Sequence, residues 1–241
     1  MLNHLIELRR RAVYVVCFFT LFFFLFFLFA DNLFQTLVAP LLKALGARDA
    51  LIATHITSPV LTPLKLAADA AFLCTAPFAL LQLWQFIAPG LYRHERNNLR
   101  GALLMSLLLF LLGMLFCYYI VLPFMFQFFA NAVPPSVRLL PDMAYALDFI
   151  TRMLLIFGLC FQVPLVCLVL VRLGWVDLVL LKKIRPYVIV SAFTLGMLLT
   201  PPDVLSQVML AVPLCLLYEL GLFLVAIVPS LSPKGEVLTK E

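Results

Sequence analysis

Two short acidic and basic clusters hold the residue types best suited to recognising another charged group. In His4-Leu5-Ile6-Glu7-Leu8-Arg9 one carboxylate stands ahead of three arginines, Arg9, Arg10 and Arg11. In Phe86-Ile87-Ala88-Pro89-Gly90-Leu91-Tyr92-Arg93-His94-Glu95-Arg96 a second carboxylate stands among basic and bulky apolar residues. Each admits two readings. Glu7 is spaced to pair with Arg10 or Arg11 one helical turn on, worth only about 0.3 kcal/mol, or it is open to an outside partner. Leu5 and Leu8, with Ile6 beside them, give its segment the apolar face of a short amphipathic surface helix. Glu95 is either a solvated loop charge or a carboxylate that receives a basic group of a peptide. Catalysis has no comparable candidates: the chain holds no HExxH, GxSxG, P-loop or GxGxxG, and its three histidines stand at 4, 55 and 94. The six cysteines (17, 74, 117, 160, 167 and 215) lie in apolar runs without a CxxC, and read as packing residues. No catalytic, metal or cofactor constellation is expected, so any work the protein does must draw on a gradient or a partner.

A further set of polar residues sits inside apolar stretches, where each needs a reason. Gln162 stands two residues before Pro164 in Phe161-Gln162-Val163-Pro164. It either satisfies backbone freed by the proline or meets another helix. Asp69 and Arg152 are costly as lone charges near lipid. Lys65 and Asp148, each four residues earlier, are local partners, and some of this set is expected to pair between helices as a clamp. Asp203, after Pro201-Pro202, reads as a helix N-cap. Glu219 can snorkel or meet a basic loop.

The elements that position these residues follow from composition. Of 241 residues, 65% are apolar and 12% charged, 23 are Phe, and the mean hydropathy is +1.11. A soluble domain runs at about 45–50% apolar and about 25% charged. The excess excludes a cytosolic enzyme, a disulfide scaffold and a disordered chain. The expected fold is a single all-α membrane domain over 1–241 with six transmembrane helices, at about 12–30, 64–84, 102–123, 153–171, 187–200 and 204–225. The last two are short and joined by a tight turn at Pro201-Pro202-Asp203, which makes them an antiparallel hairpin. The three arginines before the first span raise the question of a signal peptide, but the apolar run is too long and Leu28-Phe29-Ala30 is no cleavage site. With six spans, twelve Lys and Arg fall on the side of both termini and five on the other. The positive-inside rule then places both termini in the cytoplasm. The net charge of +5 is spread over short loops, which argues for membrane orientation and against nucleic acid as a partner. Two long external loops, roughly 31–63 and 124–150, are expected to carry short interfacial helices that cap the bundle. No internal repeat is visible, which weighs against the main alternative, a secondary transporter or channel whose pathway Asp69, Arg152 and Gln162 would line.

Taken in order along the chain, these segments resemble the TatC family, the multi-spanning component of the twin-arginine protein translocase. The resemblance rests on His4-Leu5-Ile6-Glu7-Leu8-Arg9, on Ser58-Pro59 with Thr62-Pro63, and on Phe86-Ile87-Ala88-Pro89-Gly90-Leu91-Tyr92 with His94-Glu95-Arg96. It continues in Arg185-Pro186-Tyr187 and in Gly196-Met197-Leu198-Leu199-Thr200-Pro201-Pro202-Asp203. It implies a receptor for the twin-arginine signal peptides of folded cargo, in the bacterial cytoplasmic (inner) membrane, driven by the proton-motive force. It implies a recognition surface of Glu7, Arg9, Phe86, Pro89, Leu91, Tyr92 and Glu95. It also implies TatA- and TatB-type single-span partners touching Gln162, Met197 and Leu198, further functional positions at Pro40, Asp203 and Gln207, and a homo-oligomeric receptor complex. The chemistry of the two carboxylates fits, because a planar guanidinium donates two parallel hydrogen bonds and an ammonium does not. One departure is Gln162, where the family often has a glutamate; an amide hydrogen-bonds but does not titrate.

Overall fold

The computed structural model describes residues 2–45, 51–87, 96–134, 140–172, 174–199 and 204–227. The described residues are almost wholly helical, with one isolated bridge, Ile52 to Asp142, in place of any sheet. Contacts divide the chain into two compact units, residues 1–161 and 162–241.

The first unit begins with α1 (Leu2–Leu28), a single helix that joins the amphipathic tail to the first span without a break. The separate surface helix expected from the sequence is therefore the first turns of a longer one. No proline or glycine interrupts residues 2–28, so nothing punctuates the helix where it leaves the surface. The helix runs antiparallel to α3 (Ser58–Ile87): Arg11 meets Gln82 near one end, and Phe18 stacks on Phe78 with centroids 4.5 Å apart further in. Between them, α2 (Ala30–Leu45) is the short helix expected in the first external loop, and it turns Leu37, Val38, Pro40 and Leu41 inward.

The third span differs from its expected bounds. Helix α4 (Arg96–Phe116) passes through a π-helical turn at Cys117–Val121 into α5 (Leu122–Ala132), so one apolar column covers Gly101–Ala132. Pro123, read as the end of the span, is absorbed instead. It lacks an N–H, and the widened turn, in which the Leu122 N–H reaches the Cys117 carbonyl, carries the ladder up to it. The fourth span also starts earlier, because α6 (Met143–Cys160) is N-capped by Asp142. The second external loop consequently shrinks, and its described residues contain no helix of their own. Gly113 and Gly158 set the α4–α6 approach: a Cβ on Gly113 would lie 2.6 Å from the Phe157 carbonyl, and one on Gly158 would lie 2.8 Å from the Phe110 ring.

The second unit contains α7 (Val163–Arg172), α8 (Leu178–Lys183), α9 (Arg185–Leu199) and α10 (Val204–Ile227). Cys167, Leu181, Tyr218, Leu222 and Val225 form its buried cluster, and the Tyr218 hydroxyl donates to the Leu181 carbonyl at 2.7 Å. Glu219 takes the second of its two options and pairs with Arg185 at 2.7 Å. Five stretches among the described residues are long and apolar enough to cross a membrane: Arg9–Leu28, Ser58–Leu83, Gly101–Ala132, Met143–Arg172 and Gln207–Ile227. A sixth, Arg185–Leu198, is shorter, as expected, whereas α10, at 24 residues, is full length and not the second short helix of the expected pair. The Pro201-Pro202-Asp203 turn lies outside the described residues.

Candidate functional site

At the tail end of the first unit the local alternative for Glu7 is realised. Glu7 Oε1 accepts from Arg11 Nη2 at 2.7 Å and from Arg11 Nε at 3.2 Å. The Arg11 Nη1 donates to both the main-chain carbonyl and the side-chain Oε1 of Gln82, each at 3.2 Å. One guanidinium thus ties the tail to the last turns of α3. Phe86 belongs to those turns, on the segment that leads into the 88–95 loop. The Gln82 contact therefore fixes Glu7 beside the last turns of α3, at one end of the α1–α3 pair. Arg9 is exposed, and Arg10 lies against Tyr14, with Nε 2.8 Å from the phenol oxygen. Pro89, Leu91, Tyr92 and Glu95 lie outside the described residues.

The opposite end of the unit is held by polar contacts between elements far apart in sequence. Pro40 sits inside α2 and cannot donate to Thr36, four residues back. The Tyr118 hydroxyl, on the π-helical turn, donates to that Thr36 carbonyl at 2.5 Å. Asp142 uses both oxygens: Oδ1 caps α6 through the N–H groups of Ala144 and Tyr145, at 2.8 and 3.1 Å. Its Oδ2 accepts from the Thr54 hydroxyl and N–H at 2.7 and 2.9 Å. The Thr54 hydroxyl, then the Thr54 N–H, are the main causes that hold this carboxyl down at about 2. The expected clamp between helices is made by two members of that set, Lys65 and Asp148, and not by Asp69 with Arg152. Lys65 on α3 reaches Asp148 on α6 at 2.6 Å, and the Thr151 hydroxyl lies 3.3 Å from Asp69 Oδ2, while Arg152 is exposed.

In the second unit Gln162 is 5% exposed, at the break between Phe161 and Val163. Its main-chain carbonyl accepts from the Val166 N–H at 2.9 Å. Pro164, buried in the first turn of α7, has no N–H to lose there. Met197 and Leu198 are 66% and 74% exposed on α9, so both are open to a partner. Gln207 faces the other way: its Nε2 donates to the Phe193 carbonyl at 2.9 Å, and a Cβ on Gly196 would meet its backbone oxygen at 3.1 Å. Gln207 therefore joins α9 to α10. Asp203 lies outside the described residues.

Gln82, Tyr118, Thr54 and Asp142 were not singled out by the sequence. Pro141-Asp142 ahead of an apolar run is an N-cap signature that marks Asp142. For Gln82 and Tyr118 the signal is weaker, a polar group within a span. Thr54 carries none, since its partner is 88 residues away.

A family model described as Sec-independent protein translocase protein (TatC) matches residues 3–213. The TatC of Haemophilus influenzae is 42% identical over 222 residues, which cover 92% of this chain and 87% of that protein. The Escherichia coli K12 TatC is 42% identical over 223 residues, covering 92% and 86%. A crystal structure of a TatC described as a twin-arginine translocase receptor superposes with a TM-score of 0.82 at 35% identity, covering 92% of this chain and 98% of that one.

Proposed function

The chain belongs to the TatC family of Sec-independent protein translocase proteins, and on that premise we propose that it receives twin-arginine signal peptides and forms the core of a translocase for folded proteins. It works in the bacterial inner membrane as a transport subunit and not as an enzyme, with no cofactor. Both termini face the cytoplasm, so the tail end of α1 and the 88–95 loop form the receiving face. The observation that carries this reading is the contact of Arg11 with Gln82, which supports a common site for Glu7 and the loop that bears Glu95. Two carboxylates there match two peptide arginines, each able to take a parallel pair of N–H bonds. Arg9, Phe86, Pro89, Leu91 and Tyr92 complete the surface, the apolar members meeting the hydrophobic part of the signal peptide.

The exposed Met197 and Leu198 receive TatA- or TatB-type single-span helices, and the buried Gln162 contributes to that contact from the break ahead of α7. Pro40 and Asp203 act as further functional positions, and Gln207 acts through the α9–α10 packing it secures. Helix α9, 15 residues long, spans about 22 Å at 1.5 Å per residue against a ~30 Å hydrocarbon core. Thinning of the lipid around it suits recruitment of partners and local weakening of the bilayer. Copies of the chain assemble in the receptor complex, and the proton-motive force supplies the work. The test is export of a folded reporter with a twin-arginine signal in cells lacking their own TatC. The chain, given with its single-span partners, restores export. Glu7→Ala together with Glu95→Ala abolishes it while leaving the protein in the membrane. Undiminished export by that double variant contradicts the assignment.

A further inference from the structure

Glu7 is occupied in this structure. One edge of the Arg11 guanidinium, its Nε and Nη2, lies on Glu7 Oε1, and the far nitrogen is held by Gln82. A signal-peptide arginine would offer Glu7 the same edge with the same two donors. We propose that Arg11 is a resident competitor for the carboxylate of Glu7, displaced by an incoming arginine and retained by Gln82 while it is displaced. This rests on the receptor reading above and adds to it the residue that sets the threshold for binding.

Three observations make the exchange workable. The Glu7 side chain is 40% exposed and can be approached, while that of Arg11 is 18% exposed and is fixed between two helices. The pair is one turn apart on a single helix and partly solvated, the class of ion pair that is weakest. A ligand therefore has little to overcome, on the order of a two- to fivefold change in affinity. Arg11 also keeps its two bonds to Gln82 when it leaves Glu7, so the displaced guanidinium is not stranded.

Competition of this kind sets a threshold, and Glu7 itself discriminates. An incoming guanidinium gives Glu7 at least the two N–H bonds that Arg11 places on its one oxygen, Oε1. An ammonium is a point charge without that fork, and the exchange leaves Glu7 with poorer bonding. Arg11 lowers the apparent affinity of both cations by the same factor, so its loss strengthens binding. A purely structural Arg11, holding Glu7 in position or α1 against α3, makes the opposite prediction, because its loss would disorder the site and weaken binding.

The test uses the full chain with its single-span partners in lipid nanodiscs. A photo-crosslinker at Ile6, which is 57% exposed and next to Glu7, leaves the carboxylate intact. Signal peptides with Arg-Arg and with Lys-Lys are titrated against the wild type, Arg11→Gln and Gln82→Leu, each checked for folding by its melting midpoint. Arg11→Gln is expected to lower the half-saturating concentrations of the Arg-Arg and Lys-Lys peptides by the same factor, about two- to fivefold. Gln82→Leu is expected to raise the concentration needed for the Arg-Arg peptide, because Arg11 then leans harder on Glu7. If Arg11→Gln does not fold, Arg11→Lys keeps the charge, loses the fork and must also lower both concentrations. Weaker or unchanged Arg-Arg binding by the Arg11 variant overturns the proposal and leaves the receptor reading standing. A wild-type protein that crosslinks neither peptide overturns both.

Discussion

Pro40 and Tyr118 are linked through a carbonyl that neither residue owns. Pro40 withholds the N–H that Thr36 would receive in a regular helix, and the Tyr118 hydroxyl replaces it at 2.5 Å. Tyr118→Phe removes that donor and keeps the ring. An unpaired buried carbonyl costs about 1–3 kcal/mol. Thr36 is exposed at its end of the unit, so the low end of that range applies, about 1 kcal/mol. In the Pro40→Ala background the alanine supplies a main-chain N–H that takes the carbonyl, and Tyr118→Phe should then cost only a few tenths of a kcal/mol, ~0.3. The cycle therefore has a coupling of roughly 0.7 kcal/mol, within the range for residues that share a hydrogen-bond network. It is read from SDS-driven unfolding of the four proteins in mixed micelles, which gives free-energy differences directly. Equal costs for Tyr118→Phe in the two backgrounds would refute the reasoning and make the hydroxyl contact incidental. The same cycle read as export efficiency tests whether the functional importance expected at Pro40 acts through this contact.

Gly113→Ala should destabilise the protein by about 1–3 kcal/mol, since the new methyl would sit 2.6 Å from the Phe157 carbonyl and force α4 away from α6. Gly101→Ala, on the same helix with nothing within 4 Å, should be neutral or stabilising by about 0.5 kcal/mol, so the melting midpoints of the two variants separate in opposite directions. Lys65→Met and Asp148→Asn should couple by up to about 1 kcal/mol in an unfolding cycle, whereas Asp69→Asn and Arg152→Met should be additive, because Arg152 is exposed and the ion pair runs from Lys65 to Asp148. Asp142 gives a pH dependence of definite sign. Its folded-state value of about 2 lies below the ordinary ~3.9 of an aspartate. Its contribution is then fully present above about pH 4 and lost as the pH falls toward about 2. Melting midpoints of the wild type should fall through that window more steeply than those of Asp142→Asn.

The sequence carried the helical architecture because lipid allows few alternatives: runs of apolar residues long enough to cross must be helices that satisfy their own backbone. It misplaced span ends where a local rule met a distant compensation. Pro123 reads as a stop until a π-helical turn takes up the missing N–H. Asp148 reads as the local partner of Arg152 until Lys65, 83 residues earlier, is seen to pair with it. Site residues divide in the same way. The Glu7–Arg11 pair is legible because its spacing is one helical turn, but the Gln82 that holds the far side of Arg11 is 71 residues away. Exposure at Met197 and Leu198 follows from no pattern within α9, which is apolar nearly all round; it depends on which face α10 covers. Gln207, expected as a functional polar position, is a tie between two helices once the Phe193 carbonyl is located.

The claim that this chain receives twin-arginine signals is tested most directly by photo-crosslinking from position 94, and from position 6 as a second probe, which leaves Glu95 and Glu7 in place, in membranes that contain the single-span partners. An Arg-Arg signal peptide and its Lys-Lys counterpart are offered in turn. The account predicts strong crosslinks from both positions to the Arg-Arg peptide and their loss with Lys-Lys. Equal crosslinking of the two peptides would mean that the carboxylates act only as diffuse charge, and crosslinks to neither, from folded protein, would contradict the receptor assignment itself.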